Sequence, residues 1–222
     1  MVTAVIVAGG SGSRMGSDKN KVFLLLSGKT VIEHTVATFL SVGQIENIVI
    51  VTREQDIEEC KKLFSDDRIT FTVGGKTRQE SVSNGLGVAT GEIVAIHDAA
   101  RALIDKDTIE KTIADCEEFG AAAVGVPCVD TLKRKDKDGF IAETVDRTDI
   151  YRIQTPQVFY KEEIKRAHRD AVNDKFDATD DCALYEKYIG RVKICEGSAN
   201  NIKITYPGDL AFAEAILKTK GE

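Results

Sequence analysis

The chain is punctuated by short runs of apolar and β-branched residues: AVIVA (4–8), IVIVT (48–52), ITFTV (69–73), IVAIH (93–97) and AAAVGV (121–126). Short runs rich in apolar and β-branched residues read as strands. Between them the pattern changes to helical spacing. Residues 31–40 place Val31, Ile32, Thr35, Val36 and Phe39 on one face, and 54–64 and 106–119 behave in the same way. Strands alternating with helices predict right-handed βαβ units and an α/β fold. The expected architecture is one domain over 1–222 with a mostly parallel, Rossmann-like sheet flanked by helices.

The alternation breaks after Pro127. Residues 128–150 are polar, with a turn signal from Asp136 to Gly139 and short alternating stretches on either side. They predict a β-hairpin arm projecting from the sheet; a disordered surface loop is the other reading. Helical spacing returns at 161–172 and 180–188. A strand at 191–197 and a helix at 208–218 close the chain.

Composition narrows the function classes. The chain has 42% hydrophobic and 30% charged residues and a formal net charge of −6, which argues against a general nucleic-acid surface. Five cysteines occur without a CxxC pair, which argues against a zinc site or a disulfide framework and predicts a reducing, cytoplasmic setting. The first apolar run is too short for a signal peptide, and no stretch approaches the roughly 20 apolar residues of a membrane helix.

The strongest chemical signal follows the first strand. Gly9, Gly10 and Gly12 precede Arg14, Gly16, Lys19 and Lys21. A Walker A loop requires glycine five positions before Gly-Lys-Thr; that tripeptide occurs at 28–30 and 75–77, and the required positions hold Phe23 and Thr70. The dinucleotide fingerprint fits at Gly10 and Gly12 but has Met15 in place of its third glycine, which disfavours an NAD-dependent oxidoreductase. What remains is a glycine loop at a strand's carboxyl end, able to bring backbone N–H groups around a phosphate chain. Arg14 and Lys21 would add the charges that stabilise phosphoryl or nucleotidyl transfer. A tight turn with solvated cations is the plainer alternative. His97 at a strand end reads as structural, and His34 and His168 on amphipathic helices read as non-catalytic.

The order VAGGSGSRM then NKVF resembles the signature of sugar-phosphate nucleotidyltransferases. Further motifs follow in register: VGGKTRQESV (73–82), HDAAR (97–101), VDTLKR (129–134), ETVDR (143–147), QTPQVF (154–159), ATDDC (178–182) and NNIKIT (200–205). Together they resemble the 2-C-methyl-D-erythritol 4-phosphate cytidylyltransferase family of non-mevalonate isoprenoid synthesis. Two departures stand out: Asn20-Lys21-Val22 where the family often has Pro-Lys-Gln, and Ala102 where proline usually follows HDAAR.

The resemblance implies roles. Ala8, Gly9, Gly10, Ser11, Gly12 and Ser13 would surround the triphosphate of CTP through main-chain donors, with Arg14 and Lys21 stabilising the pentacoordinate α-phosphorus. Gly75 would lie against the cytosine, Ser81 would bond its edge, and Arg78 would face the phosphates or brace the loop. Asp98, followed by Ala99, would contact a ribose hydroxyl, a Mg²⁺ ion or the polyol. Arg147 and Lys203 would grip the acceptor phosphate, with Arg101, Thr131, Lys133, Thr155 and Thr179 adding polar contacts. The arm would cross into a partner subunit, so that Thr131 and Arg147 complete the neighbour's site in a homodimer. Ribitol-5-phosphate cytidylyltransferase shares the CTP half and is the near alternative. A non-catalytic nucleotide-binding module is disfavoured by the presence of both Arg14 and Lys21.

Overall fold

The computed structural model describes residues 1–10 and 20–220. In chain order the elements are β1 (Val2–Val7), a hairpin of β2 (Leu25–Leu26) and β3 (Lys29–Thr30), α1 (Val31–Leu40), β4 (Ile45–Thr52), α2 (Ile57–Leu63), β5 (Ile69–Val73), α3 (Arg78–Val88), β6 (Ile93–Asp98), α4 (Lys106–Phe119) and β7 (Ala121–Pro127). Then come β8 (Leu132–Lys135), β9 (Ile141–Val145), β10 (Tyr151–Tyr160), α5 (Lys161–Asp174), α6 (Asp181–Tyr188), β11 (Lys193–Glu196) and α7 (Pro207–Lys220). Among the described residues no helix is long and apolar enough to cross a membrane.

The central sheet has seven strands in the order β11-β7-β10-β6-β1-β4-β5. β1 pairs in parallel with both β4 and β6, β4 with β5, and β7 with β11. β1, β6, β7 and the second half of β4 are buried on both faces, which is why they read as unbroken apolar runs, while the edge strands β5 and β11 are partly exposed. Ala4 and Ile6 of β1 pack with α1, α2 and α4; Val5, pointing the other way, packs with α3, α5 and α6. A third cluster joins Leu26, Val31, Leu103 and Ile204 beneath Ala213 of α7.

The helix starts follow from capping chemistry. Thr30 and Glu33 form a reciprocal capping box on α1. At α3 the Thr77 hydroxyl accepts the Glu80 N–H at 3.1 Å, but the Glu80 carboxylate turns to the N–H of Lys76 at 2.6 Å. Instead of closing a reciprocal box, Glu80 draws the preceding glycine turn onto the helix. The 54–64 segment splits into a 3₁₀ turn at Glu54–Asp56 and the short α2.

Two features depart from the sequence pattern. QTPQVF, a motif with no assigned element, lies in β10, which runs antiparallel between β6 and β7. Its two glutamines and a proline hide it from an apolar-run search, because proline demotes a strand. Pro156 falls where the β10–β7 register skips from Ile153 to Gln157, and pairing with β6 begins at Gln157. Its missing N–H therefore interrupts no ladder. The arm is a hairpin: β8 pairs antiparallel with β9, closed by a turn in which Gly139 has φ +93°.

α3 lies so close to the sheet that a Cβ on Gly85 would stand 2.5 Å from Val5 Cγ1 and 2.8 Å from Val51 Cγ2, whereas Gly87 on the same helix faces open space. Gly85→Val should therefore lower the unfolding free energy by about 1–3 kcal/mol through overpacking. Gly87→Ala should raise it by roughly 0.5–1 kcal/mol through helix propensity. Urea denaturation of both variants checks the contrast; equal effects would mean the packing of α3 is looser than described.

Candidate active site

The carboxyl ends of β1 and β6 face a cleft of about 410 Å³. Its near wall is the start of the glycine loop. Ala8 is buried there, its N–H donating to the Val51 carbonyl at 2.7 Å, so it has no main-chain donor left for a phosphate. That narrows the expected cradle among the described residues to Gly9 and Gly10, which line the cleft beside Ala8. Ser11, Gly12, Ser13 and Arg14 lie outside the described residues.

The loop's far end is set by Asn20, which the sequence marked only as a departure. It is buried, donating from Nδ2 to the Ala8 carbonyl at 2.6 Å and to Asp56 Oδ2 at 3.1 Å. Asp56 is itself held by both Arg53 Nε and Nη2. Lys21, the next residue, lines the cleft and donates from Nζ to the Ile204 carbonyl at 2.6 Å.

The opposite wall is the turn before α3. The Gly75 N–H donates to Ser81 Oγ at 3.0 Å, and the Ser81 hydroxyl donates to the Thr77 carbonyl at 2.8 Å. A Cβ on Gly75 would fall 2.2 Å from that of Glu80, and one on Gly74 would fall 2.9 Å from Ser81 Oγ. The double glycine is thus required by close approach of the turn to its own helix.

The floor is Asp98, the last residue of β6 and 8% exposed. Oδ1 meets Arg78 Nε at 3.2 Å and Oδ2 meets Lys203 Nζ at 2.6 Å. Burial alone would raise the Asp98 carboxyl, but the charges of Arg78 and Lys203 outweigh it and hold the group well below the usual carboxylate range. Arg78 continues from Nη1 to Asp181 Oδ2 at 2.8 Å, and Asp181 Oδ1 meets His168 Nε2 at 3.1 Å. A chain of charged and polar groups therefore runs from the exposed Lys203 through Arg78 to the buried His168 of α5. Of it, the sequence picked out Arg78, Asp98 and Lys203. Asp181 and His168 gave only weak signals, a motif without a role and a histidine in an apolar stripe.

The remaining site residues expected from sequence divide into groups. Thr155 is buried under the floor, where its Oγ accepts the Asp98 N–H at 3.0 Å and meets His97 Nδ1 at 3.0 Å. Arg101 donates from Nη1 to the Asn201 carbonyl at 2.7 Å. Ala99 is buried, its N–H bonded to the Val7 carbonyl and its carbonyl to Thr35 Oγ. None of these three lines the cleft. Thr179 is exposed ahead of α6. Thr131, Lys133 and Arg147 are exposed on the arm, Lys133 donating to Thr144 Oγ and Arg147 to the Val129 carbonyl.

Asp98 is also the expected metal ligand; both its oxygens are engaged by cations, so a Mg²⁺ ion on this carboxylate would have to displace one of them.

Comparison with known proteins decides the family. Residues 2–219 match the family model described as 2-C-methyl-D-erythritol 4-phosphate cytidylyltransferase. The chain belongs to that family. It is 44% identical to the enzyme of that name from Caldanaerobacter subterraneus subsp. tengcongensis, over 98% of this chain and 99% of the relative. It is 42% identical to that from Clostridium novyi, over 97% and 96%. Among solved structures, the 4-diphosphocytidyl-2C-methyl-D-erythritol synthase of Anaerococcus prevotii superposes with a TM-score of 0.87 at 32% identity, covering 98% of this chain and 96% of the other. This membership makes the chain a nucleotidyltransferase with a mostly parallel α/β sheet, and excludes the oxidoreductase and non-catalytic readings.

His97 gives the site a pH signature. Its Nε2 faces the Arg101 carbonyl at 3.3 Å, which can only accept, so Nε2 carries the proton and Nδ1 accepts from Thr155. Burial pushes its pKa down to about 3. An unfolded histidine protonates near pH 6.5. Between these values the unfolded chain binds one more proton, so stability is lost as pH falls from about 6.5, by at most about 1.4 kcal/mol per pH unit from this group. Denaturation midpoints at pH 7.5 and 5 should show that loss, and His97→Asn should flatten it. A slope unchanged by the substitution would place the titrating group elsewhere.

Proposed function

We propose that the chain transfers the cytidylyl group of CTP to 2-C-methyl-D-erythritol 4-phosphate, giving 4-(cytidine 5′-diphospho)-2-C-methyl-D-erythritol and pyrophosphate. The observation that carries this is the cleft at the β1 and β6 ends, where Gly75, Ser81, Lys21, Asp98 and Lys203 converge in a chain matched to the family from residue 2 to 219. An acceptor phosphate oxygen forms a bond to the α-phosphorus as the bond to the β-phosphate oxygen breaks. The nucleophile is already anionic, so no side chain need remove a proton; the work is positioning and charge stabilisation. Lys21 supplies one cation from the cleft wall and Arg14 a second from the loop. Ser81 has spent its proton on Thr77 and has an acceptor lone pair for the amino group of cytosine. Mg²⁺ is proposed to arrive with CTP on phosphate oxygens.

The acceptor grip is proposed to be shared between two chains. The arm and the adjoining strand expose Val129, Phe140, Ile141 and Tyr151, apolar surface that favours burial against a second copy. Arg147 would then reach the partner's cleft, where Lys203 waits beside Asp98. Five buried thiols support a reducing, cytoplasmic setting.

Pyrophosphate release tests the reaction. CTP should be strongly preferred over ATP and GTP, and methylerythritol phosphate over ribitol 5-phosphate; equal use of a purine triphosphate, or preference for ribitol, would sink the corresponding half. Arg14→Ala and Lys21→Ala should each slow kcat by on the order of 10²–10³, a loss of about 3–4 kcal/mol, with CTP affinity far less affected.

Arg147→Ala and Lys203→Ala should each weaken acceptor use by roughly 1.5–3 kcal/mol. Co-expressing the two variants should restore part of the activity, because one site of the heterodimer has both residues. Demonstrable heterodimers with no recovery would assign both residues to one chain's site.

A further inference from the structure

We propose that His168, on the far side of α5 from solvent, is a positioning residue for the CTP subsite: its Nε2–H fixes Asp181, and Asp181 fixes the Arg78 guanidinium at the cleft wall. The inference rests on the reading of the cleft as the CTP site and adds a residue to it.

Three observations carry it. His168 is 3% exposed and sits in the buried stripe of α5 with Ile164, Ala167 and Ala171. A stripe of this kind is filled at least cost by an apolar side chain. The imidazole is not simply a satisfied substitute for one, because Nδ1 is buried with no hydrogen-bond partner among the described residues. Its polar anchor is Nε2, 3.1 Å from Asp181 Oδ1. Asp181 is ionised, its carboxyl held below the usual range by the Arg78 charge against the opposing effect of burial. A carboxylate only accepts, so the bridging proton is on Nε2.

Asp181 is 1% exposed and its oxygens are divided, Oδ1 to His168 and Oδ2 to Arg78 Nη1 at 2.8 Å. Its N–H is tied to Gln157 Oε1 at 3.0 Å. The carboxylate can turn only by losing the imidazole. Arg78 also donates from Nε to Asp98, so Nε and Nη1 are both committed to aspartates and Nη2 is in neither bond. Releasing Asp181 frees the guanidinium to rotate about its remaining contact, away from a fixed direction into the cleft. The effect falls on ground-state binding of the nucleotide and leaves the Lys21 and Arg14 charges in place.

The test uses two polar replacements that differ in where they put an N–H. Glutamine places its amide nitrogen near Nε2 of the original ring; asparagine places it near Nδ1, out of reach of Asp181. His168→Asn should raise KM for CTP about fivefold with kcat and the KM for the acceptor within twofold of the parent. His168→Gln should hold all three within twofold. An unchanged KM for CTP in a folded His168→Asn variant overturns the proposal, and so does a glutamine variant as impaired as the asparagine one, since the ring would then serve packing alone. Arg78→Ala is measured beside them. If it too leaves KM for CTP unchanged, the assignment of Arg78 to the nucleotide fails and takes the relay with it. If it raises KM while His168→Asn does not, only the relay fails.

Discussion

The structure turns on one ionised carboxylate kept out of water. Asp98 ends the central strand β6, and a charge at that depth would cost several kcal/mol if left alone. Arg78 and Lys203 remove that cost from two sides, and in doing so they tie the start of α3 and the segment before α7 to the same strand end. Removing either partner would leave the buried Asp98 carboxylate on a single cation, so the placement of all three segments depends on the same charge. Arg78 spans two carboxylates, Asp98 and Asp181, and Lys203 meets Asp98 from another side, so the direction of each of these cations at the cleft is set by a fixed partner within the protein.

The sheet's single antiparallel strand sets where this cluster can be reached. β10 opposes both β6 and β7, so those two strands run the same way and end at the same edge. β6 ends at Asp98 and β7 ends at Pro127, where the arm departs. The cleft and the arm therefore rise from one side of the sheet, and β10 returns from the arm directly beneath the cleft, delivering Thr155 to the Asp98 backbone.

The parallel half of the fold was legible because strands buried on both faces have no polar positions to hide them, and the helices repeat at 3.6 residues. α1 buries the five residues its spacing names. β10 was not legible as a strand, because its polar residues earn their burial through specific partners: Gln157 is buried by bonding Asp180 and the α6 start, and Thr155 by bonding His97. Such partners lie far off in sequence and leave no period. The site divides the same way. The glycine turns and the cations near them announce themselves locally; Asn20, Asp181 and His168 matter through residues at distances of 12, 103 and 13 positions, and nothing nearby signals it. Ala8 shows the converse, a motif position whose donor the sheet had already taken.

Asn20 has a consequence for the residue that follows it. One amide joins Asn20 to the Ala8 carbonyl and to Asp56, so the backbone beneath Lys21 is anchored both to the end of β1 and to the turn after β4. The reach of that lysine is thereby measured from the sheet itself: a shift of β1 against β4 would move the ammonium, and a rigid sheet holds it still.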